Sequence, residues 1–587
     1  MCGIAGIFNL NQSQVSITNL KNMTDIIDHR GPDGEGHWVN TNGNVGFGHR
    51  RLSIIDLTEN GNQPMHFAEG RYTITFNGEI YNYIELKNEL KLKGYQFISD
   101  SDTEVLLALY DLKKEKCLQD LDGMFSFAIW DEKLQTLFCA RDRFGEKPFH
   151  YYNSNDTFVF ASEIKQFWTI GIEKKIDQEK LLSYAKTGNL ESADQITETF
   201  FEYINKLDAA HYLIISADKK ITIQRYWDIE TNAKQFKGTI EQAAEFFLEL
   251  FTESIRLRLR SDVPVGSSLS GGLDSSSIVM LIDALKGNEL KQNTFSARFK
   301  NFSKDEGEHI DAVVKACKNV NVHYTWPDKD YFESVFDKVT YHQDEPFGSA
   351  SIVAQYAVME LAKKNNVTVL MDGQGADEQL AGYLPYYHTY LNQLFYNKPS
   401  LYSNEYKAYF KLHQSHNPYP SIADIETPWM KFGRYRRMIL KREMPYKNAL
   451  QNELKTHSTG LGLKELLRYA DRNSMAHSRE VRLPFLSHKL VEFVFSLPDE
   501  YKLNGGWTKF VLRKAMGKIL PPSICWRVDK IGYEPPQHIW IKSEKISQEI
   551  KQAAKLLNIQ RINETTKESV FNQDWRLLMA SKFIKEA

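Results

Sequence analysis

Val263-Pro264-Val265-Gly266-Ser267-Ser268-Leu269-Ser270-Gly271-Gly272-Leu273-Asp274-Ser275-Ser276 is the stretch whose reading decides the fold of this chain. It opens with a short apolar run, Val263 to Leu269, of strand length, and from Ser275 to Leu285 its spacing turns helical. Similar alternations follow: Asn293 to Phe299 predicts a strand, Gly307 to Ala316 a helix, Ile352 to Lys364 a helix and Val367 to Met371 a strand. Repeated βα units of this kind predict a mostly parallel sheet with helices on both faces.

The turn inside the opening stretch suits an anion. A Gly pair lets the backbone approach a phosphate closely, the following helix directs unpaired N–H groups at it, and the hydroxyls of Ser270, Ser275 and Ser276 add neutral donors. Asp274 would repel a bare phosphate, so its place in the loop argues for a divalent cation, Mg²⁺ by preference, between carboxylate and phosphates. No Lys follows the glycines, which excludes a Walker A loop. A second acidic turn, Asp372-Gly373-Gln374-Gly375-Ala376-Asp377-Glu378, follows another strand. In a parallel sheet both turns lie at the carboxyl edge, where Asp377 can join Asp274 on the metal.

The amino half has a different texture. Gly3 to Phe8, Val45 to His49, Arg71 to Asn77, Met124 to Trp130, Thr136 to Arg141 and Thr157 to Ala161 read as short strands, and Glu104 to Tyr110 as a helix. A sheet-rich α+β domain is expected over residues 1–210. A linker hairpin is expected over 211–235, and an α/β domain with the phosphate-binding turn over 236–587, predominantly helical beyond Glu405 with Leu461 to Met475 and His488 to Leu497 the clearest helices. At the start, Cys2 stands directly behind Met1, so removing one residue would leave a thiol and a free α-amino group on one carbon. An α-amino group titrates far closer to neutrality than Lys and can take the thiol proton.

Composition narrows the field further. With 587 residues the chain is too long for one core, and a formal charge of −2 gives no polyanion-binding signature, so nucleic acid is not an expected partner. The five cysteines are scattered with no C-x-x-C pair, which speaks against a disulfide framework or structural zinc. No basic stretch followed by an apolar run opens the chain, and no run of about 18 apolar residues occurs, so a cytoplasmic protein without membrane association is expected.

Ordered blocks extend these readings into a resemblance. They are Met1-Cys2-Gly3-Ile4, His29-Arg30-Gly31-Pro32-Asp33-Gly34, His49-Arg50-Arg51-Leu52-Ser53-Ile54, Asn77-Gly78-Glu79-Ile80-Tyr81-Asn82, Ser101-Asp102-Thr103-Glu104, Arg141-Asp142-Arg143-Phe144-Gly145 and Phe160-Ala161-Ser162-Glu163-Ile164-Lys165. In the carboxyl half come the two turns above, Arg468-Tyr469-Ala470-Asp471-Arg472, Glu480-Val481-Arg482-Leu483-Pro484-Phe485 and Trp507-Thr508-Lys509-Phe510-Val511-Leu512-Arg513. Over nearly its whole length the chain resembles the glutamine-hydrolysing asparagine synthetases, the B-type amidotransferase family. The resemblance implies an N-terminal nucleophile (class II glutaminase) α+β sandwich followed by an α/β, ATP pyrophosphatase-like synthetase domain.

It also implies two coupled reactions. Cys2 attacks the side-chain amide of glutamine, ammonia leaves, and water resolves the γ-glutamyl thioester. Asn77 and the Gly78 N–H would hold the oxyanion. Arg51, with Arg50 as its neighbouring alternative, would bind the α-carboxylate bidentately, and Asp102, helped by Glu79, the α-ammonium. At the second site ATP activates a carboxylate as an acyl-adenylate. Leu269, Ser270, Gly271, Gly272, Asp274, Ser275 and Gly373 would hold nucleotide and pyrophosphate, Asp274 and Asp377 the Mg²⁺, and Lys509 the shifting phosphate charge. The family further suggests an ammonia tunnel between the sites, and the resemblance allows a homodimer.

The pattern departs at Gln374, where well-known asparagine synthetases carry Glu, and the segment His342 to Ser351 lacks the Arg carried by the bacterial aspartate-using enzyme. Aspartate is the first expected acceptor; another carboxylate, such as a uronic acid or a cell-wall precursor, is the alternative. A degenerate non-catalytic relative is a further reading, disfavoured because Cys2, Asn77, Asp102, Asp274, Asp377 and Lys509 are all present.

Overall fold

The computed structural model of the chain describes residues 2–190, 197–229, 235–286, 291–413, 446–529, 534–561 and 572–586. The amino half is built from two six-stranded sheets. In the first, the order is Ile204–Lys206, His150–Asn153, Thr157–Ala161, Gly3–Asn9, Val45–Arg51 and Gly34–Val39. In the second it is Ile221–Arg225, His211–Ile215, Thr136–Arg141, Gly123–Asp131, Tyr72–Ile80 and Met65–Phe67. Every pairing in both sheets is antiparallel.

Side-chain alternation explains why the sheets stack. Along Gly3–Asn9, Ile4 and Phe8 face inward to meet Ala128, Trp130, Leu137, Leu213 and Ile215 of the second sheet, while Ala5 and Ile7 face outward toward Leu20 and Met23 of the helix Ile17–Asp25. The outer face of the second sheet is covered by Asp102–Lys113, whose Val105, Leu106 and Leu109 pack on Tyr72, Ile74 and Phe127. Four layers result, helix, sheet, sheet and helix.

The hairpin expected as a linker is part of this sandwich. His211–Ile215 pairs with Thr136–Arg141, so the hairpin forms the edge of the second sheet. Its Leu213 and Ile215 share an inward face buried between the sheets while Tyr212 packs on the outer one, and a linker has no such faces to bury. Residues 230–234 of that expected linker lie outside the described residues.

The second half carries a five-stranded sheet in the order Val320–Thr325, Gln292–Ala297, Val265–Ser268, Val369–Met371 and Glu480–Arg482, parallel throughout. The helices Leu273–Lys286 and Gly307–Ala316 follow the first strands to one edge, and Ser351–Lys364 brings the chain back to the other side of Val265–Ser268. Strand order therefore reverses between Val265–Ser268 and Val369–Met371. The crevice outside the carboxyl ends of those two strands is the natural ligand site of such a sheet, and the two acidic turns open into it. Six strands carry no pattern of their own in the sequence: Met65–Phe67, His150–Asn153 and Ile204–Lys206 are three or four residues long, Gly34–Val39 is a Gly-rich edge, Val320–Thr325 a half-exposed edge, and Glu480–Arg482 carries buried charges.

Candidate functional site

Cys2 sits at the mouth of the first sheet with its thiol almost buried, and burial pushes its pKa above the ordinary cysteine value. The Cys2 N–H donates to Asn77 Oδ1 at 3.0 Å. That bond orients the amide, and Asn77 Nδ2 is then left buried with no hydrogen-bond partner, a donor aimed for a ligand oxygen. At Gly78 an added Cβ would lie 2.2 Å from the Met124 carbonyl oxygen on the neighbouring strand, so only glycine brings this backbone so close.

Alternation along Val45–Arg51 separates the two arginines. Arg50 faces outward to Asp25 and lies 3.0 Å from Glu35, whereas Arg51 is buried on the thiol side. Its guanidinium donates to the Thr58 carbonyl at 2.7 Å, to Asn62 Oδ1 at 2.9 Å and to the Asp56 carbonyl. The loop 56–62 thus holds the fork in place. Asp102 Oδ2 accepts the Ile80 N–H at 2.8 Å, and burial, assisted by the charge of Glu480, pushes the Asp102 carboxyl up to about 6. Glu79 is pushed well above the ordinary carboxylate range, first by burial and then by Glu480 and Asp102. The structure thus gathers Cys2, Arg51, Asn77, Gly78, Glu79 and Asp102 around one cleft.

Behind this cleft the two domains meet through buried charge. Arg30 donates from Nε to the Cys2 carbonyl at 3.0 Å and forks onto Asp471 at 2.9 and 3.0 Å, while also reaching Glu163 at 2.9 Å. Arg482 Nη2 lies 3.8 Å from Glu79, its Nε donates to Glu480 at 2.6 Å, and its carbonyl accepts the Asp372 N–H at 3.0 Å. The sequence reading quoted these residues as landmarks without assigning them contacts. Nothing in a single sequence says that Arg30 and Asp471 meet across 441 positions.

At the second site the loop after Val265–Ser268 is closed by its own hydroxyls. Ser270 Oγ and Ser275 Oγ lie 3.0 Å apart, Gly272 N–H donates to Ser270 Oγ at 3.3 Å, and Gly271 takes φ +76°, a conformation only glycine adopts without cost. The second loop touches it: a Cβ on Gly373 would stand 3.0 Å from Asp274 Cβ. Lys509, itself at φ +52° ahead of the helix Phe510–Met516, places Nζ 2.5 Å from Asp274 Oδ2 and 2.7 Å from Asp377 Oδ1. Burial disfavours its charge, yet the two carboxylates hold its pKa above the ordinary lysine value. Gly382 makes the approach possible, since a Cβ there would fall 1.8 Å from Asp377 Oδ1 and 2.3 Å from Lys509 Cε. A lone glycine after Leu380-Ala381 was the available signal for it.

Two carboxylate oxygens converging on one ammonium show that this point holds a cation, and the donor set fits a hard divalent ion shared with phosphates. Beside it a cavity is lined by Ser268, Phe295, Gln355, Gln374, Tyr383 and Leu466 among others. Gln374 Oε1 is buried there without a hydrogen-bond partner. Between the two sites, Leu52, Ile54, Tyr81 and Met124 of the first domain pack on Leu257, Val369 and Met475 of the second.

Comparison with known proteins agrees with the two-domain layout. Residues 1–227 match the glutamine amidotransferase domain and residues 247–580 match asparagine synthase. The chain is 33% identical to asparagine synthetase [glutamine-hydrolyzing] 1 of Bacillus subtilis (strain 168), over 93% of this chain and 88% of the relative. It is 29% identical to the amidase chry2 of Gibberella zeae, over 92% and 90% of the two chains. With both domains matched in order and a relative of that identity along almost its full length, the chain belongs to the asparagine synthase family of glutamine amidotransferase enzymes.

Proposed function

We propose that this enzyme makes an amide from a carboxylate, using glutamine as nitrogen source and ATP as the activating substrate, with aspartate as the first acceptor and asparagine, AMP and pyrophosphate as products. The observation that carries the reading is the pairing, in one chain, of a buried thiol beside an unpartnered amide donor and a Lys509–Asp274–Asp377 cluster at a parallel-sheet switch point.

In the first half-reaction, with Met1 removed, the α-amino group of Cys2 takes the thiol proton and Sγ attacks the glutamine side-chain carbonyl. Asn77 Nδ2 and the Gly78 N–H receive the developing oxyanion. Arg51 binds the α-carboxylate and Asp102 the α-ammonium, with Glu79 beside it. Collapse of the tetrahedral intermediate releases ammonia, and water then resolves the thioester to glutamate. The apolar cluster of Leu52, Met124, Val369 and Met475 supports a sheltered route, because a dry path keeps ammonia unprotonated and nucleophilic.

In the second, the acceptor oxygen attacks the α-phosphate to give an acyl-adenylate and pyrophosphate. The Ser270–Ser275 loop, with Leu269 and Gly373, holds the phosphates, and Lys509 neutralises charge as pyrophosphate departs. Asp274 and Asp377 would hold Mg²⁺, which supplies further charge neutralisation at the phosphates when bound. Ammonia then displaces AMP.

Incubation with glutamine, ATP, Mg²⁺ and aspartate should yield asparagine and AMP in equal amounts. Absence of AMP with every carboxylate offered overturns the reading. Gln374 favours a second version: its buried, unpartnered Oε1 is a neutral acceptor where a carboxylate stands in well-known asparagine synthetases. An acceptor such as a uronic acid or a cell-wall precursor fits it, and AMP formation with such an acceptor but not with aspartate selects that version.

A further inference from the structure

Two separate pieces of chain must stay in register for the second site to hold phosphates: the Ser270–Ser275 loop and the Lys509 turn. They come from opposite ends of the synthetase domain, and neither fixes the other by backbone pairing. One arginine that no sequence motif singled out bridges them. Arg527, two residues beyond the short helix Pro522–Cys525, donates from Nη1 to the carbonyl oxygen of Gly271 at 3.3 Å. The same nitrogen reaches Glu306 Oε1 at 2.8 Å, and the rest of the fork is held by Asp529, Nε to Oδ1 at 3.1 Å and Nη2 to Oδ2 at 3.3 Å. Its side chain is only 7% exposed.

The bridge continues on the other side. The Arg527 carbonyl accepts Arg513 Nη1 at 3.1 Å, and the Cys525 carbonyl accepts the same nitrogen at 2.6 Å. Arg513 belongs to the helix Phe510–Met516, and its own N–H donates to the Lys509 carbonyl at 3.0 Å. An unbroken chain of hydrogen bonds thus runs from the Lys509 backbone through Arg513 and Arg527 to Gly271. Gly271 is where such a strut has most effect. Its φ of +76° is set by the turn, and a Cβ there would stand 2.8 Å from His309 Cβ, so the loop is wedged against the helix that Glu306 precedes.

We infer that Arg527 is a positioning residue for nucleotide binding, a strut between Glu306 and Gly271 that holds the phosphate-binding loop at the distance Lys509 requires. The inference rests on the proposed nucleotide role of that loop. Arg527 itself is spent on protein partners, so its effect on ATP passes through the loop. A charge-assisted bond of this kind, once lost, changes a binding constant by about tenfold.

The test is equilibrium binding of a non-hydrolysable ATP analogue with Mg²⁺ to the full chain, alongside glutaminase turnover as a measure of the intact first domain. Arg527→Ala is expected to weaken analogue binding about tenfold with glutaminase turnover unchanged, and Arg527→Lys, which restores the charge, to recover part of the loss. Glu306→Gln, which keeps the shape and weakens the anchor, is expected to fall between parent and Arg527→Ala. It decides the matter should Arg527→Ala not fold. Analogue binding within twofold of the parent in Glu306→Gln and in any folded Arg527 variant overturns the inference. Failure of the parent itself to bind the analogue overturns instead the nucleotide reading on which it rests.

Discussion

Asp102 carries its charge into a cleft that disfavours it. Its carboxyl titrates at about 6 rather than near the ordinary aspartate value, because burial and the neighbouring Glu480 oppose ionisation. If the ionised form receives the glutamine ammonium, that form is present above pH 6 and is lost as the pH falls through it. Glutaminase kcat/KM should therefore fall about tenfold more per pH unit below that point than the Cys2 α-amino base alone imposes, while the Asp102→Asn variant should be poorer throughout and lack that added steepness. Steady-state glutaminase assays between pH 5 and pH 8 check it, within the window of about one unit either side of the titration. At Gly382 the relevant force is steric. A methyl group there collides with Asp377 Oδ1 and Lys509 Cε, so Gly382→Ala must displace the Asp377 carboxylate or the lysine side chain from its present place. Acceptor-dependent pyrophosphate release should drop at least about tenfold with glutaminase activity preserved.

At the scale of elements, the helix Ile240–Arg258 opens the synthetase domain with a reciprocal cap: Gln242 N–H donates to Thr239 Oγ1 and Thr239 N–H to Gln242 Oε1. Thr239→Ala should cost about 1 kcal/mol, read as a lower denaturation midpoint without change in glutaminase activity. Elements whose residues carry their own periodicity were legible in the chain. The strand at Thr157–Ala161 and the helix at Gly307–Ala316 lie where the pattern put them, and most others differ by a few residues at their ends. Legibility failed where partners decide. Glu480–Arg482 puts two charges in three residues and has no strand pattern, yet all three residues are buried because Arg482 and Glu480 neutralise each other inside an interdomain edge. The hairpin His211–Arg225 read as a linker because its second strand, Ile221–Arg225, is largely exposed; only pairing with Thr136–Arg141 shows that it closes a sheet. The candidate site followed the same rule. Cys2 and Asp274 stood out by residue type and local motif, and Asn77 and Lys509 through the resemblance; Gly382 left only a lone glycine as its mark, and Arg527, which acts on a loop far away in the chain, left none.

Across the whole molecule the two domains share a contact that neither can make alone. Arg30 is fully buried between Glu163 of its own domain and Asp471 of the other. Removing one partner strands a charge, so Arg30→Met should lower stability by about 3–5 kcal/mol, and combining it with Asp471→Leu should return part of that loss. Chemical denaturation followed separately by glutaminase activity and by intrinsic fluorescence should show one joint transition in the parent and two in Arg30→Met. The same fork bears on how the chain can be cut. Expressed apart, the amino half would open Arg30, left with Glu163 as its one carboxylate, to water beside Cys2, and the carboxyl half would expose Asp471, without its bidentate partner, on a helix built to be covered. Splitting the gene at the join is thus expected to yield working protein only when both fragments are produced together and fold against each other.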